Sequence, residues 1–212
     1  ERSSLAGSSK WIGELALDTP YTPTIETLDK YECDYLAHGD DIPTNEHGNT
    51  IYDEIIAKKR LRVFRRTEGI STTVIIGRLL LGMKDKFDAL DEKDVKNISI
   101  KKSYEELERA SNLQFGTMTT LLTTSYRISD FSNKKMPEHG QKVVYICGEF
   151  DVLHKGHIEA LKKAKESGDF VYVGVYDDIT VNKRKGKYNP VLNINERCLN
   201  LLALKYVDDV VF

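Results

Sequence analysis

The chain has 212 residues, a length that suits one large domain or parts of two. Apolar residues make up 40% of the sequence and charged residues 30%, which is ordinary for a globular protein. The formal net charge of −2 excludes a global basic field for nucleic acid or an anionic membrane surface. Any binding of phosphorylated ligands must therefore depend on local groups of residues.

The cysteines and the apolar runs indicate a cytoplasmic protein. Cys33, Cys147 and Cys198 lie far apart and lack the spacing of a metal site, so we interpret them as reduced thiols. The most apolar run, residues 74–83, is interrupted by Arg78 and is too short to span a bilayer. No secretory signal opens the sequence. Because the first residue is not Met, we expect the natural N-terminus to be missing.

The two ends of the chain carry the same pattern, a Glu-Arg pair followed by a basic-aromatic step into an apolar segment. It occupies residues 1–15 and recurs at 196–210, with every matched pair offset by 195 residues (196 − 1). Such a repeat predicts two copies of one unit in tandem. We expect residues 1–81 to be the back half of the first copy and residues 142–212 to be the front half of the second. Residues 82–141 between them are expected to be a linker with a short helix.

The first copy contains two apolar, strand-like segments and two helical ones. Thr24 is the expected N-cap of the earlier helix, and a turn from His38 to Asp41 follows the second strand. The charged stretch 85–102 is typical of a linker. In chain order the expected elements are a strand over 12–17, a helix over 24–31, a strand over 34–38 and a helix over 71–81.

From residue 142 the pattern changes to a strand, a helix and a second strand. We expect these over residues 143–147, 156–167 and 170–176. Parallel strands joined by a helix imply an α/β fold. Ligands in such folds bind at the carboxyl ends of the strands, so the segment after residue 147 is the first place to look for a site.

That segment contains His154 and His157, which stand three residues apart and so share one face of an opening helical turn. Gly156 leaves the backbone bare for a phosphate, and the helix N-terminus adds free amide donors. The arrangement predicts stabilisation of charge on a phosphoryl oxygen. A zinc site without an evident third ligand, and two histidines that only cap a helix, are the alternatives.

Residues 66–73 form a second motif, with a cation, a glycine and several hydroxyls before an apolar helix. Gly69 permits a tight turn, Arg66 can bind phosphate oxygens in a bidentate manner, and the hydroxyls supply donors. The motif predicts a triphosphate cradle, and a simple N-cap at Ser71 is the alternative. The candidate nucleotide-binding residues are Arg66, Thr67, Gly69, Ser71, Thr72 and Thr73.

Both motifs resemble known signatures. Residues 154–157 resemble the His-x-Gly-His signature of the nucleotidyltransferase superfamily, and residues 66–73 resemble the signature of cytidylyltransferases. The order of the motifs, and nearly the whole chain, resemble the tandem ethanolamine-phosphate cytidylyltransferase family. The resemblance implies Rossmann-like parallel-sheet units in tandem, packed as a pseudo-dimer. It also implies a cytoplasmic enzyme, peripheral to the endoplasmic reticulum, that uses CTP, phosphoethanolamine and Mg²⁺ for phosphatidylethanolamine synthesis.

The same resemblance assigns roles to individual residues. The two imidazoles would face the transferring phosphate, a lysine of the basic loop 183–187 would meet substrate phosphates, and Asp40 would accept from the cytosine amino group. The alternative for Asp40 is an Asx turn, and the alternative for the basic loop is a solvated run of charges. The alternative for Arg197 is a salt bridge within a helix. The implied catalytic residues are His154, His157 and Lys185. The further nucleotide-binding residues are Asp40, Gly148, Phe150, Asp151 and Arg197.

Three other interpretations stay open at this point. The substrate could be phosphocholine, because the sequence does not reveal which amine is held. The chain could be a non-catalytic regulatory or scaffolding piece, since the histidine pair belongs to the second copy and the signature at 66–73 to the first. The two half-copies could also fold together as one permuted domain with a hybrid site.

Overall fold

The structure is a computed structural model that describes residues 1–42, 44, 48, 50–65, 72–87, 132, 136–186 and 188–211. The chain forms two compact units, one of residues 16–70 and one of residues 1–15 with 71–212. The described helices and strands are α1 (Arg2–Ala6), α2 (Ile25–Lys30), β1 (Leu36–Gly39), α3 (Asp53–Ala57), β2 (Leu61–Phe64), α4 (Thr72–Phe87), β3 (Val143–Gly148), α5 (Lys155–Glu166), β4 (Phe170–Val175), α6 (Asp178–Lys185), α7 (Ile194–Leu202) and β5 (Asp209–Val211).

The smaller unit is a parallel pair of strands, β1 and β2, with α2 and α3. The predicted cap of α2 is confirmed, because the Thr24 hydroxyl accepts from the Thr27 amide at 3.3 Å. Leu28, Tyr52 and Ile55 are buried together as the core of this unit. The predicted strand over 34–38 is found as β1, shifted by one or two residues.

The larger unit contains a parallel sheet in the order β3-β4-β5, with α5 connecting β3 to β4. This confirms the predicted strand, helix and strand from residue 142 and the α/β class. The central strand β4 is the most buried, with Val171 and Val173 fully inaccessible. Ile158 and Leu161 of α5 belong to the same core. Parallel pairing brings the carboxyl ends of the strands to one edge of the sheet.

The predicted strand over 12–17 is wrong. Its repeat equivalent in the second copy is β5, which exists because it pairs with β4. Residues 14–16 have no neighbouring strand within the described part of the chain, and the side chains of Ile12, Leu15 and Leu17 are exposed. A strand needs a hydrogen-bonded partner, so the same pattern gives different structures in the two places.

Helix α4 follows the hydroxyl-rich motif and is longer than the predicted helix over 71–81. It runs into the stretch at 85–102, where the sequence predicted a linker. Arg78 of α4 donates to the Glu196 carboxylate at 2.7 Å and to the Val191 carbonyl at 3.2 Å, so α4 packs beside the start of α7. No helix within the described residues is long and apolar enough to cross a membrane.

Residues 8–10 and 203–205 contact each other in the larger unit. The Lys10 amide donates to the Ala203 carbonyl at 2.9 Å, and the Lys205 amide donates to the Ser8 carbonyl at the same distance. Both donors and both acceptors are repeat equivalents, so one contact is made twice in reciprocal form. This is the geometry of an isologous contact about a local twofold axis. The predicted domain boundaries after residues 81 and 141 stay predictions.

Candidate active site

A pocket of about 410 Å³ opens at the carboxyl ends of β3 and β4. This is the edge at which parallel α/β sheets bind their ligands. Six of the sequence-predicted site residues line the pocket, together with four that were not predicted. The lining residues are Cys147, Gly148, Glu149, Phe150, Asp151, His154, His157, Tyr176, Arg184 and Lys185.

The two histidines begin helix α5. Nδ1 of His154 accepts from the Gly156 amide at 3.1 Å, and Nδ1 of His157 accepts from the His154 amide at 3.3 Å. Their ring centroids are 3.9 Å apart. A Cβ at residue 156 would lie 3.0 Å from Cε1 of His154, so glycine leaves the room that this imidazole needs. The two histidines therefore do cap the helix, as one alternative from the sequence proposed, and these capping hydrogen bonds also position both rings.

These caps also fix where the imidazole protons are. Because each Nδ1 accepts a backbone hydrogen bond, a neutral ring carries its proton on Nε2. Burial, followed by the electrostatic effects of His154 and Lys185, lowers the pKa of His157, while Asp151 acts in the opposite direction. The lowered pKa favours the neutral form of His157, which has an Nε2–H group to donate. Such a donor is suited to a phosphoryl oxygen.

The loop between β3 and α5 is held in an uncommon conformation. Phe150 and Val152 have φ angles of 48° and 45°, in the left-handed region that residues with a Cβ rarely adopt. The Phe150 ring is buried, and its centroid lies 5.6 Å from that of His157. The Asp151 carboxylate accepts from the amides of Val191 at 2.7 Å and Leu192 at 2.9 Å. The loop is thereby fixed to the segment before α7.

Arg197 lies fully buried beneath the pocket. Its guanidinium donates to the carbonyls of Leu192 at 3.0 Å, Glu149 at 2.6 Å and Tyr176 at 2.8 Å, and to the Asp178 carboxylate at 2.6 Å. These bonds join the carboxyl ends of β3 and β4 to the starts of α6 and α7. The ion pair with Asp178 is the salt bridge that the sequence offered as the alternative role for Arg197. Contact between Arg197 and the nucleotide stays a prediction.

The basic wall of the pocket comes from the end of α6. Residues 183–185 of the predicted basic loop form the last turn of α6, and Gly186, with a φ of 90°, follows the helix. Lys185 forms an ion pair with the Glu149 carboxylate. Arg184 lies over the Tyr176 ring, with its Cζ atom 5.3 Å from the ring centroid. The pocket therefore holds cations next to the two histidines.

The predicted site residues of the first copy lie elsewhere or outside the described residues. Asp40 follows β1 in the smaller unit and is exposed. Thr72 and Thr73 form the first turn of α4, are exposed, and are not among the pocket residues. The other predicted members of the motif, Arg66, Thr67, Gly69 and Ser71, lie outside the described residues. Their roles stay predictions.

Sequence reasoning missed four lining residues. Glu149 sits between two predicted residues, Gly148 and Phe150, and Tyr176 ends the predicted second strand. The rule that ligands bind at carboxyl ends of parallel strands could have found both. Arg184 adjoins the predicted Lys185 in the same helical turn. The Cys147 side chain could have been placed near the pocket by its position at the end of β3.

Known proteins resemble this chain both in its second half and over its whole length. Residues 145–212 match the cytidylyltransferase-like family. The ethanolamine-phosphate cytidylyltransferase of Dictyostelium discoideum is 37% identical over 100% of this chain and 58% of its own length. That of Arabidopsis thaliana is 36% identical over 100% of this chain and 52% of its own length. Among solved structures, the lipopolysaccharide core biosynthesis protein of Thermoplasma volcanium is 37% identical, with a TM-score of 0.32, over 34% of this chain and 57% of that one.

The chain thus spans little more than half the length of the two curated relatives. The matched family region begins in β3 and includes both histidines, Arg197 and the whole pocket. The similarity to the ethanolamine-phosphate cytidylyltransferases extends over the rest of the chain as well. Residues 145–212 are therefore a cytidylyltransferase-like domain, and the chain as a whole is similar to ethanolamine-phosphate cytidylyltransferases.

Proposed function

We propose that the chain is part of an enzyme that transfers a cytidylyl group from CTP to phosphoethanolamine. The products are CDP-ethanolamine and pyrophosphate. The main structural support is a single pocket in which two imidazoles with Nε2–H donors adjoin Arg184 and Lys185. The choice of phosphoethanolamine over phosphocholine is supported by the names of the relatives that match the whole chain.

In the proposed reaction a phosphate oxygen of phosphoethanolamine attacks the α-phosphorus of CTP in line. The bond from that phosphorus to the bridging oxygen breaks, and pyrophosphate leaves with the electron pair. Catalysis then consists of positioning and of stabilising charge, without a covalent enzyme intermediate. His154 and His157 donate to the oxygens of the transferring phosphate, and Lys185 binds phosphate oxygens. Residues 66–73 bind the triphosphate in this proposal.

In this proposal an Mg²⁺ ion arrives with the nucleotide and is held mainly by the substrate phosphates. Within the described part of the chain, no group of three or more His, Cys, Asp or Glu side chains is placed to hold a metal. Asp151 is bonded to two amides, and Glu149 is paired with Lys185. Mg²⁺ usually keeps several waters and binds through substrate phosphates. Bound in that way, it would neutralise charge on the triphosphate oxygens.

We also propose that the two copies pack as a pseudo-dimer. The support is the reciprocal pair of hydrogen bonds between residues 8–10 and 203–205, in which equivalent positions contact each other.

The proposed product is a precursor of phosphatidylethanolamine. We therefore place the protein in the cytoplasm, at the periphery of the endoplasmic reticulum membrane.

The experiment is pyrophosphate release from this chain with Mg²⁺, either CTP or ATP, and either phosphoethanolamine or phosphocholine. The proposal predicts release with CTP and phosphoethanolamine and much less with the other combinations. A preference for ATP or for phosphocholine would contradict the assigned substrates. Binding of CTP without any release would favour the non-catalytic alternative for this chain.

A further inference from the structure

The ion pair between Glu149 and Lys185 lies inside the proposed phosphate-binding pocket. The Glu149 side chain is only 16% exposed, whereas the Lys185 side chain is 54% exposed. The ammonium group of Lys185 is therefore already neutralised by a largely buried carboxylate. The other lining carboxylate, Asp151, accepts from two backbone amides instead.

The two partners differ in how firmly they are held. Glu149 lies in the fixed loop after β3, and its carbonyl accepts from the buried Arg197 at 2.6 Å. Lys185 is a long side chain in the last turn of α6, next to Gly186. Opening of the pair therefore requires movement of Lys185, while Glu149 stays in place.

The pair sets a condition on any phosphate that takes Lys185 as its partner. Such a ligand leaves the Glu149 carboxylate mostly buried and without its cation, which costs free energy. A polyanion adds repulsion from the same carboxylate. A phosphate ester with its own ammonium group avoids this cost, because that group can replace Lys185 beside Glu149.

We propose that Glu149 is a specificity-determining residue that makes this pocket favour a phosphate ester bearing an ammonium group over a simple polyanion. The inference rests on the proposed function only in that phosphoethanolamine is a ligand of this class. The role of Glu149 is one of discrimination, since its carboxylate lowers affinity for anions that bring no positive charge.

The test is calorimetric binding of pyrophosphate and of phosphoethanolamine to the 212-residue chain, without nucleotide. Glu149→Gln keeps the side-chain shape and removes the charge. This variant should raise the affinity for pyrophosphate by on the order of fivefold and lower the affinity for phosphoethanolamine by a similar factor. The matched control is Glu159→Gln on α5, which removes an exposed carboxylate outside the pocket and should leave both affinities unchanged.

A second variant keeps the inference testable if Glu149→Gln does not fold. Lys185→Met leaves Glu149 without its cation, so the ratio of phosphoethanolamine to pyrophosphate affinity should rise, whereas Glu149→Gln should lower that ratio. Equal shifts for both ligands, or no shift, would overturn the inference. Phosphoethanolamine that fails to bind the unmodified chain would overturn it as well.

These outcomes are separable from failure of the proposed function, because neither binding experiment requires turnover. If Glu149→Gln shifts the affinities for the two ligands in opposite directions but the chain releases no pyrophosphate from CTP, the role of Glu149 is upheld and catalysis is not. Turnover with phosphoethanolamine and an unchanged ratio in Glu149→Gln would uphold the enzyme and overturn this inference alone.

Discussion

Ser9 and Leu204 form an antiparallel β-bridge, and they are equivalent positions of a repeat with an offset of 195 residues (204 − 9). The two copies of the repeat that the sequence predicts therefore contact each other at equivalent positions. The cations beside the bridge match too, since Nζ of Lys10 lies 5.2 Å from the Trp11 ring centroid and Nζ of Lys205 lies 5.5 Å from that of Tyr206.

The reciprocal bonds around this bridge predict matched losses of stability. Lys10→Pro and Lys205→Pro each remove one of the two equivalent amide donors, so each should lower the free energy of unfolding by about 1–3 kcal/mol. The double variant should cost less than the sum, because both bonds belong to one contact. Denaturant unfolding measures this. The controls Lys10→Ala and Lys205→Ala keep the amides, and losses as large in these would contradict the backbone explanation.

Arg197 is predicted to be essential for the fold of the larger unit. Arg197→Ala leaves buried carbonyls and Asp178 without their donor, and should destabilise by about 3–5 kcal/mol. Arg197→Lys should recover only part of this loss, because one ammonium group cannot reproduce the planar set of donors. The control is Arg2→Ala, an exposed repeat equivalent that should cost no more than about 0.5 kcal/mol. Thermal melts that rank the two alanine variants equally would contradict the assignment.

His157 is predicted to titrate below its ordinary pKa of 6.5, because burial and the neighbouring cations disfavour its charged form. NMR of the imidazole resonances measures this, and Lys185→Met should raise the His157 pKa. Lys183→Met removes a cation of the same helix outside the pocket and serves as the control. Since the unfolded chain binds this proton more readily, the contribution of His157 makes stability fall as pH decreases through 6.5 and below. A pKa at or above 6.5 would contradict the described burial.

Gly156 is predicted to be required by His154 and not by helix α5 itself. A Cβ at this position would press on the imidazole, so Gly156→Ala should displace His154 and reduce turnover with little loss of helix stability. Gly13→Ala is the matched control, since nothing lies within 4 Å of a Cβ at that position. Unchanged turnover in Gly156→Ala would show that His154 tolerates the displacement.

Local patterns were sufficient to predict the sheet and the histidine pair from sequence. The segment at 143–176 alternates a strand, a helix and a strand, and residues 154–157 open that helix, so short-range information specifies both. The segment at 12–17 carries a similar apolar pattern to β5, yet among the described strands only β5 of the two has a neighbour. Strand formation there depends on a partner distant in sequence, which a local pattern does not contain.

Long-range polar contacts were the part that sequence could not provide. Glu149 and Lys185 are separated by a helix, a strand and most of a second helix, and their ion pair forms because the end of α6 lies beside the loop that follows β3. Arg197 has the residue type of a phosphate ligand, but its burial is set by packing of α7 against the sheet. Neither fact has a signature in residue spacing.

The most direct test of the central claim is formation of CDP-ethanolamine from CTP and phosphoethanolamine, followed by ³¹P NMR. Three proteins are compared: the unmodified chain, His157→Ala, and His139→Ala, which removes an exposed histidine outside the pocket. The account predicts product from the first and the third, and a rate lower by on the order of a hundredfold for His157→Ala. Equal rates for His157→Ala and His139→Ala would contradict the assignment of this pocket as the active site.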